Sequence, residues 1–325
     1  MNVAFFEVED WQRDFFKSKL KKDKLFFSSK ALSSGDLKKI KDVDVLCVFV
    51  KSQVSKGVVD KLANLKLVVT MSTGYDHVDV KYCSKKGIKV SNVPNYGMNT
   101  VAQHTFALLL NLSKKIEPSL KQSKKAFVDR SVTRGFDLAG KTLGIIGTGN
   151  IGQEVIKMAC GFSMKIIAFD VFKNMKAAKK LGYKYVSLDT LFKKSDVITL
   201  HVPLFKSTRH ILNNAAFKKM KRGVVLINTA RGALIDTKVL IGSLKKGKLG
   251  GVGLDVLEDE SIFSPKKLLG RKVSSENKFL LHHPNVLVTN HNAFNTIEAI
   301  ERIMKCTVSN IKGNIGKGKG VNLVK

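Results

Sequence analysis

Hydrophobic residues in this chain fall into short unbroken runs separated by amphipathic segments. Residues 43–50 form a Val-rich run, residues 65–72 a second and residues 87–91 a third. Runs that are apolar at every position mark strands covered on both faces, as in a parallel sheet. The opening residues 1–7 read as another strand, and polar segments with helical spacing intervene at 55–62 and 78–86. A second series of strands follows at 141–147, 165–170, 196–202, 223–228, 250–255 and 286–289. Repeated strand–helix alternation implies open parallel sheets with helices on both faces. The predicted fold class is α/β, with two Rossmann-like parallel-sheet domains and a cleft between them.

Between the two series the pattern changes. Residues 99–116 are apolar nearly all round, with Val101, Ala102, Thr105, Phe106, Leu108, Leu109 and Leu112. Thr100 and Gln103 fit a capping box at its start. So apolar a helix predicts a core or subunit-interface position, and the interface is the favoured one. Residues 114–141 are polar and basic, and residues 257–285 read as an irregular charged surface excursion.

Composition narrows the class. A chain of 325 residues, 44% hydrophobic, can bury a large core without disulfides or a metal staple. Its apolar runs fall far short of the roughly 20 residues a membrane-spanning helix needs. Residues 1–7 have neither the basic start nor the small-residue cleavage site of a secretory leader. The cysteines, at positions 47, 83, 160 and 306, lack CxxC spacing, which disfavours zinc and redox templates; no metal is expected. Cys47 and Cys160 read as buried, reduced thiols, and a cytoplasmic location is expected.

The chain carries 57 Lys and Arg against 26 Asp and Glu, a formal net charge of +31. A nucleic-acid binder clusters its basic residues and often favours Arg for bidentate contacts. Here lysines are spread in pairs such as Lys38-Lys39, Lys124-Lys125 and Lys218-Lys219. A solvated lysine-rich surface is the reading, with no specific nucleic-acid partner expected.

The segment Leu143-Gly-Ile-Ile-Gly147-Thr-Gly149-Asn-Ile-Gly152 follows an apolar strand and opens an amphipathic helix. Asp170 stands eighteen residues past its last glycine, at the end of the next strand. That context turns a weak GxGxxG into a dinucleotide fingerprint. Gly147 permits the tight turn, Gly149 lets backbone approach the pyrophosphate, and Gly152 lets helix and strand pack closely. The helix start supplies free N–H groups to the phosphates. Asp170 is predicted to accept the adenosine ribose hydroxyls and to repel a 2′-phosphate, favouring NAD over NADP. Lys173 softens that preference.

Three further segments place ionisable residues after strands. They are Arg231 in Asn228-Thr-Ala-Arg-Gly232, Asp255 and Glu260 in Gly253-Leu-Asp-Val-Leu-Glu-Asp-Glu260, and His291 in Val288-Thr-Asn-His-Asn-Ala-Phe294. Strand carboxyl ends face the ligand crevice in open α/β sheets. Arg231 offers a planar charged fork for a substrate carboxylate. His291 is suited to give a proton to a carbonyl oxygen as hydride arrives, and Glu260 to fix its tautomer and favour its acid form.

With these motifs assembled, the chain resembles the D-isomer-specific 2-hydroxyacid dehydrogenase family, most closely its D-lactate dehydrogenase branch. The likeness also runs through Ser72-Thr-Gly-Tyr-Asp-His77, Val90-Ser-Asn-Val-Pro-Asn-Tyr-Gly97, Ala102-Gln-His-Thr-Phe-Ala-Leu-Leu109 and Leu200-His-Val-Pro-Leu204. The resemblance implies Arg231, Glu260 and His291 as the catalytic set. It implies that backbone N–H groups at Thr73 and Gly74 hold the substrate carboxylate, and that Tyr96 and Phe294 shape a small side-chain pocket. Around the cofactor it places Asn150, Ile151, Val202, Pro203, Thr208, Thr229, Ala230 and Asp255, the last near the nicotinamide amide. It implies a discontinuous flavodoxin-like substrate domain at 1–98 and 296–325, an NAD-binding domain at 99–295, and a homodimer joined through the latter. Two residues depart from the pattern: Asn290 stands where the family usually has Pro, and Gln103 where it usually has Glu.

The expected reaction is NAD-dependent reduction of a small 2-keto acid, pyruvate to D-lactate first among them. Glyoxylate/hydroxypyruvate reductase and phosphoglycerate dehydrogenase are alternatives. An NAD-sensing regulator without catalysis is the alternative of another class, disfavoured by the intact Arg–Glu–His set.

Overall fold

A computed structural model describes residues 1–263, 273–315 and 320–324. The chain divides into two compact units, Met1–Tyr96 with Thr296–Lys325, and Gly97–Asn295.

The first unit is built on five parallel strands in the order β2-β1-β3-β4-β5. They are β1 (Asn2–Phe6), β2 (Lys24–Ser28), β3 (Val45–Val48), β4 (Leu67–Thr70) and β5 (Lys89–Ser91). All four residues of β3 and of β4 are buried, which is what their unbroken apolar runs require. The C-terminal helix Ile297–Asn314 closes this unit, starting at Thr296, whose hydroxyl caps the Ala299 N–H. Beyond it Val324 N–H donates to Val90 O, tying the chain end to β5.

The second unit carries seven parallel strands in the order β12-β11-β10-β9-β6-β7-β8. They are β6 (Thr142–Ile146), β7 (Lys165–Phe169), β8 (Lys184–Tyr185), β9 (Val197–Leu200), β10 (Val224–Asn228), β11 (Leu249–Leu254) and β12 (Val286–Val288). The chain runs outward one way from β6 and the other way from β9, which pair with each other. That reversal opens a crevice at their carboxyl ends, the usual ligand position in such sheets.

The helix Met98–Lys114 buries Thr100, Val101, Ala102, Thr105, Phe106, Leu108, Leu109 and Leu112 inside its own unit, so its apolar face is core, and its start is not where the capping box predicts. Glycines explain the fit. A Cβ on Gly253 would lie 3.0 Å from Leu108 Cβ, and one on Gly251 3.1 Å from a Leu112 methyl. Thr100 is not the cap; the helix starts after Gly97, and Thr100 lies buried in its first turn. Gln103 is exposed and donates to Asn99 Oδ1.

The polar stretch after it contains a further helix, Ile116–Ser123, set off by Lys115 in the left-handed region at φ 51°. The stretch 257–285 is not wholly irregular: the helix Ser275–His282 lies within it, capped by Ser274. Cys47 is buried as expected, but Cys160 is exposed, because it lies near the end of the helix Asn150–Gly161 on its outer side. No helix among the described residues is long and apolar enough to cross a membrane.

Candidate active site

The glycine turn lies between β6 and the helix Asn150–Gly161, at the reversal point. Its three glycines have separate causes. Gly147 has φ +100°, and a Cβ there would come within 2.7 Å of the His201 carbonyl. A Cβ on Gly152 would sit 2.1 Å from Gly147 O, so helix and turn touch only because residue 152 is glycine. A Cβ on Gly149 would meet nothing within 4 Å, which leaves open space above the turn. The helix begins there with no side-chain cap, and its first N–H groups are offered to an anion. Asn150 and Ile151 form that first turn.

Asp170 follows β7 and is anchored to the turn. Its Oδ2 accepts from the Thr148 N–H at 2.6 Å and hydroxyl at 3.1 Å, and its Oδ1 from the Phe172 N–H at 3.0 Å. Thr148 spends its one hydroxyl proton on Asp170, so the Tyr185 hydroxyl, 2.7 Å away, donates to Thr148. Val171, Phe172 and Met175 beyond it are exposed apolar side chains. Open space, a helix start without a side-chain cap and an oriented acid are what a dinucleotide needs.

After β9, Val202 is half-buried beside the turn and Pro203 is exposed; a Cβ on Gly147 would lie 2.9 Å from a Val202 methyl. The Thr208 hydroxyl braces this loop by donating to Pro203 O at 2.7 Å and accepting the Phe205 N–H at 2.7 Å. The His201 ring buries its Nε2 without a hydrogen-bond partner among the described residues, although the residue as a whole is only partly covered. Burial pulls its pKa from 6.5 to about 3. Between those values the unfolded chain binds a proton that the folded chain does not. This stabilisation is therefore complete above 6.5 and lost as pH falls toward 3. The variant His201→Gln should flatten stability across that window, checked by urea midpoints at several pH values. An unchanged slope would contradict it.

Arg231 lies in the loop after β10. Buried Asn228 shapes that loop, accepting the Ala230 N–H at 3.0 Å and donating to Arg231 O at 2.8 Å. The Arg231 guanidinium donates to Ala230 O at 2.8 Å. The next residue, Gly232, lets the segment after β11 come close. A Cβ there would lie 2.0 Å from the Leu257 carbonyl.

Glu260 opens the short 3-10 turn Glu260–Phe263. Its Oε2 lies 2.9 Å from His291 Nδ1. The carboxylate can only accept, so Nδ1 carries hydrogen when the ring is neutral and Nε2 is left for proton exchange. The His291 side chain is about a quarter exposed (24%), enough to be reached from outside.

Asp255 is completely buried at the end of β11. Its Oδ1 accepts from the Thr289 hydroxyl and the Asn292 N–H at 2.8 Å, and its Oδ2 from the Ala293 N–H at 2.9 Å. Burial pushes its pKa up, but hydrogen bonds from His104, Thr289, Asn292 and Ala293 outweigh it and hold it below the usual value. Thr229 is buried, and its hydroxyl pairs with Thr105 at 2.9 Å; Ala230 is half-buried. Sequence reasoning missed His104 and Thr105 as partners of these loops. They fall at ordinary helix positions, and nothing in their spacing signals a partner more than a hundred residues away. Asn290, before His291, is exposed, and Phe294 is half-buried.

In the first unit, Thr73 and Gly74 form the turn after β4. The Thr73 carbonyl accepts from Asn92 Nδ2 at 2.8 Å and the Gly74 carbonyl from the Ser72 hydroxyl at 2.6 Å. Tyr96 is half-buried, and its carbonyl accepts from Arg302 Nε at 2.7 Å. Among the described residues no group of three or more His, Cys, Asp or Glu side chains could hold a metal ion.

Comparison with known proteins follows the same lines. The family described as "D-isomer specific 2-hydroxyacid dehydrogenase, NAD binding domain" matches residues 106–293. A D-lactate dehydrogenase of Escherichia coli is 38% identical over 281 residues, covering 85% of this chain and 84% of the relative. A hydroxypyruvate reductase of Thermotoga maritima is 41% identical over 285 residues, 87% of this chain and 89% of the relative. The crystal structure of a D-lactate dehydrogenase from Aquifex aeolicus, complexed with NAD and lactic acid, superposes with a TM-score of 0.90. It is 39% identical and covers 96% of this chain and 95% of its own.

Proposed function

The chain belongs to the D-isomer-specific 2-hydroxyacid dehydrogenase family and uses NAD, and from that premise we propose that it reduces pyruvate to D-lactate. The observation that carries the chemistry is the 2.9 Å contact between Glu260 and His291 Nδ1, which leaves Nε2 for the substrate. NADH supplies the hydride to the carbonyl carbon. His291 Nε2–H gives the proton to the carbonyl oxygen and takes it back in the reverse direction. Glu260 stabilises the imidazolium and fixes the ring's orientation. Arg231 pairs with the substrate carboxylate and polarises the neighbouring carbonyl. The N–H groups of Thr73 and Gly74 take the same carboxylate, and Tyr96 and Phe294 limit the side chain to a small group.

The cofactor lies along the turn Gly147–Gly152 in this reading, with Val202, Pro203, Thr208, Thr229 and Ala230 beside it. Asp255 serves it by holding the loop that follows β12. Asp170 selects the unphosphorylated ribose. Asp170→Ala should raise the KM for NADH about tenfold, the worth of one or two hydrogen bonds to an ionised group, and improve use of NADPH. Kinetics with both cofactors check this; an unchanged NADH/NADPH ratio would reject the assignment.

A homodimer through the cofactor unit is supported by the exposed apolar side chains Ile116, Leu120, Phe127, Val128 and Val132. So dense an apolar stretch marks an interaction site. Sedimentation should give twice the 35.9 kDa chain mass, and a monomer would remove this part of the reading. A cytoplasmic location belongs to the same reading, on the four free thiols Cys47, Cys83, Cys160 and Cys306, and fractionation tests it.

The hydroxypyruvate reductase at 41% identity favours a second substrate reading, hydroxypyruvate or glyoxylate. NADH oxidation with pyruvate, hydroxypyruvate, glyoxylate and 2-ketoisocaproate separates them. Pyruvate should give the highest kcat/KM; a higher value for hydroxypyruvate transfers the function to the second reading, and turnover with none rejects both.

A further inference from the structure

The helix Met98–Lys114 sends two adjacent side chains to the two loops that carry Arg231 and His291. Thr105 donates its hydroxyl proton to Val101 O at 2.9 Å, so its contact with Thr229 is donated by Thr229. His104 reaches the other loop. Its Nε2 is 3.0 Å from Thr289 Oγ1 and 3.4 Å from Asp255 Oδ1. The single hydroxyl proton of Thr289 is directed at Asp255. Thr289 must therefore accept from His104, which places hydrogen on His104 Nε2 and aims it at the Thr289–Asp255 pair.

Asp255 in turn holds the backbone around His291. Its main-chain carbonyl accepts the His291 N–H at 2.8 Å, and its carboxylate accepts the N–H groups of Asn292 and Ala293. Three consecutive backbone donors thus end on one residue. Between them His291 is in the left-handed region, at φ 57°. A non-glycine residue keeps that conformation only where surrounding contacts over-determine it. The Asp255 side chain is 1% exposed, so a donor withdrawn from it is not replaced by bulk water.

We infer that His104 is a positioning residue for the proton transfer: its Nε2–H fixes Thr289 and Asp255 in the arrangement that holds residues 291–293 and aims the His291 ring. The kinetic part rests on the reaction proposed above; the loop part rests on geometry alone. A leucine side chain at this position cannot donate. A glutamine carries an amide N–H near the place of Nε2, whereas an asparagine is too short to reach.

The test compares His104→Leu, His104→Asn and His104→Gln in steady-state kinetics and in amide hydrogen exchange of residues 291–293. His104→Leu and His104→Asn should lower kcat about tenfold or more, since small misplacements of a reacting group are costly. Their KM for keto acid and NADH should stay within about twofold, because neither ligand is bound by His104. Their loop exchange should be faster by about tenfold. His104→Gln should restore both kcat and slow exchange. Wild-type kcat and exchange in all three variants would overturn the inference, as would His104→Gln being as impaired as His104→Asn. If His104→Leu does not fold, the Gln–Asn comparison decides. A wild-type protein inactive on every keto acid would remove the proposed reaction, and the exchange data would still judge the loop.

Discussion

Replacing His291 with alanine should lower kcat for keto-acid reduction by about 10²–10⁴-fold, the range a positioned general acid supplies. The imidazole has no substitute in its loop: Asn290 and Asn292 beside it cannot shuttle a proton near neutral pH. NADH binding should be retained, because the turn Gly147–Gly152 and Asp170 do not depend on the ring. Glu260→Gln should have a smaller effect, about 10–100-fold, as for other groups that orient a reactive imidazole. The Gln can still contact Nδ1 but cannot stabilise the imidazolium. Steady-state rates combined with NADH fluorescence titration separate these outcomes. A His291→Ala enzyme with wild-type kcat would remove the general acid from the account.

The second large effect belongs to Arg231. Arg231→Ala should reduce kcat/KM by about 10²–10³-fold, since losing one partner of a desolvated charge pair costs roughly 3–4 kcal/mol. Unlike His291→Ala, it should raise the KM for keto acid steeply, because the guanidinium binds the carboxylate in the ground state as well. Arg231→Lys should recover only part of the loss. An ammonium keeps the charge but lacks the planar fork. The loop itself should survive, because Asn228 shapes it through main-chain atoms of residues 230 and 231. Unchanged KM in Arg231→Ala would place the carboxylate elsewhere.

The glycine turn was legible because its signal is local. Gly147, Gly149 and Gly152 follow a strand and open a helix; Gly147 and Gly152 each have a distinct steric reason in the structure, and Gly149 faces open space. The strands of both sheets that are buried on both faces read as unbroken apolar runs, and β3 and β4 are the plainest cases. What stayed hidden was either short or non-local. The edge strand β2, Lys24–Ser28, is only half-buried, and β8 has two residues; neither carries a run long enough to stand out. The helix Met98–Lys114 is apolar nearly all round, and only Gly251 and Gly253, far along the chain, show where its Leu108 and Leu112 are received in the core. Asp255 reads from sequence as one more acid after a strand. Its use as a clamp on residues 291–293 depends on main-chain donors that sequence spacing does not reveal.

The most direct measurement is a crystal structure of the protein with NADH and oxamate, a non-reducible analogue of pyruvate. The account predicts His291 Nε2 at hydrogen-bond distance, about 2.6–3.2 Å, from the analogue's carbonyl oxygen, with Glu260 still on Nδ1 and Arg231 on the carboxylate. An imidazole turned away from the analogue, or a carboxylate bound by a group other than Arg231, would contradict it.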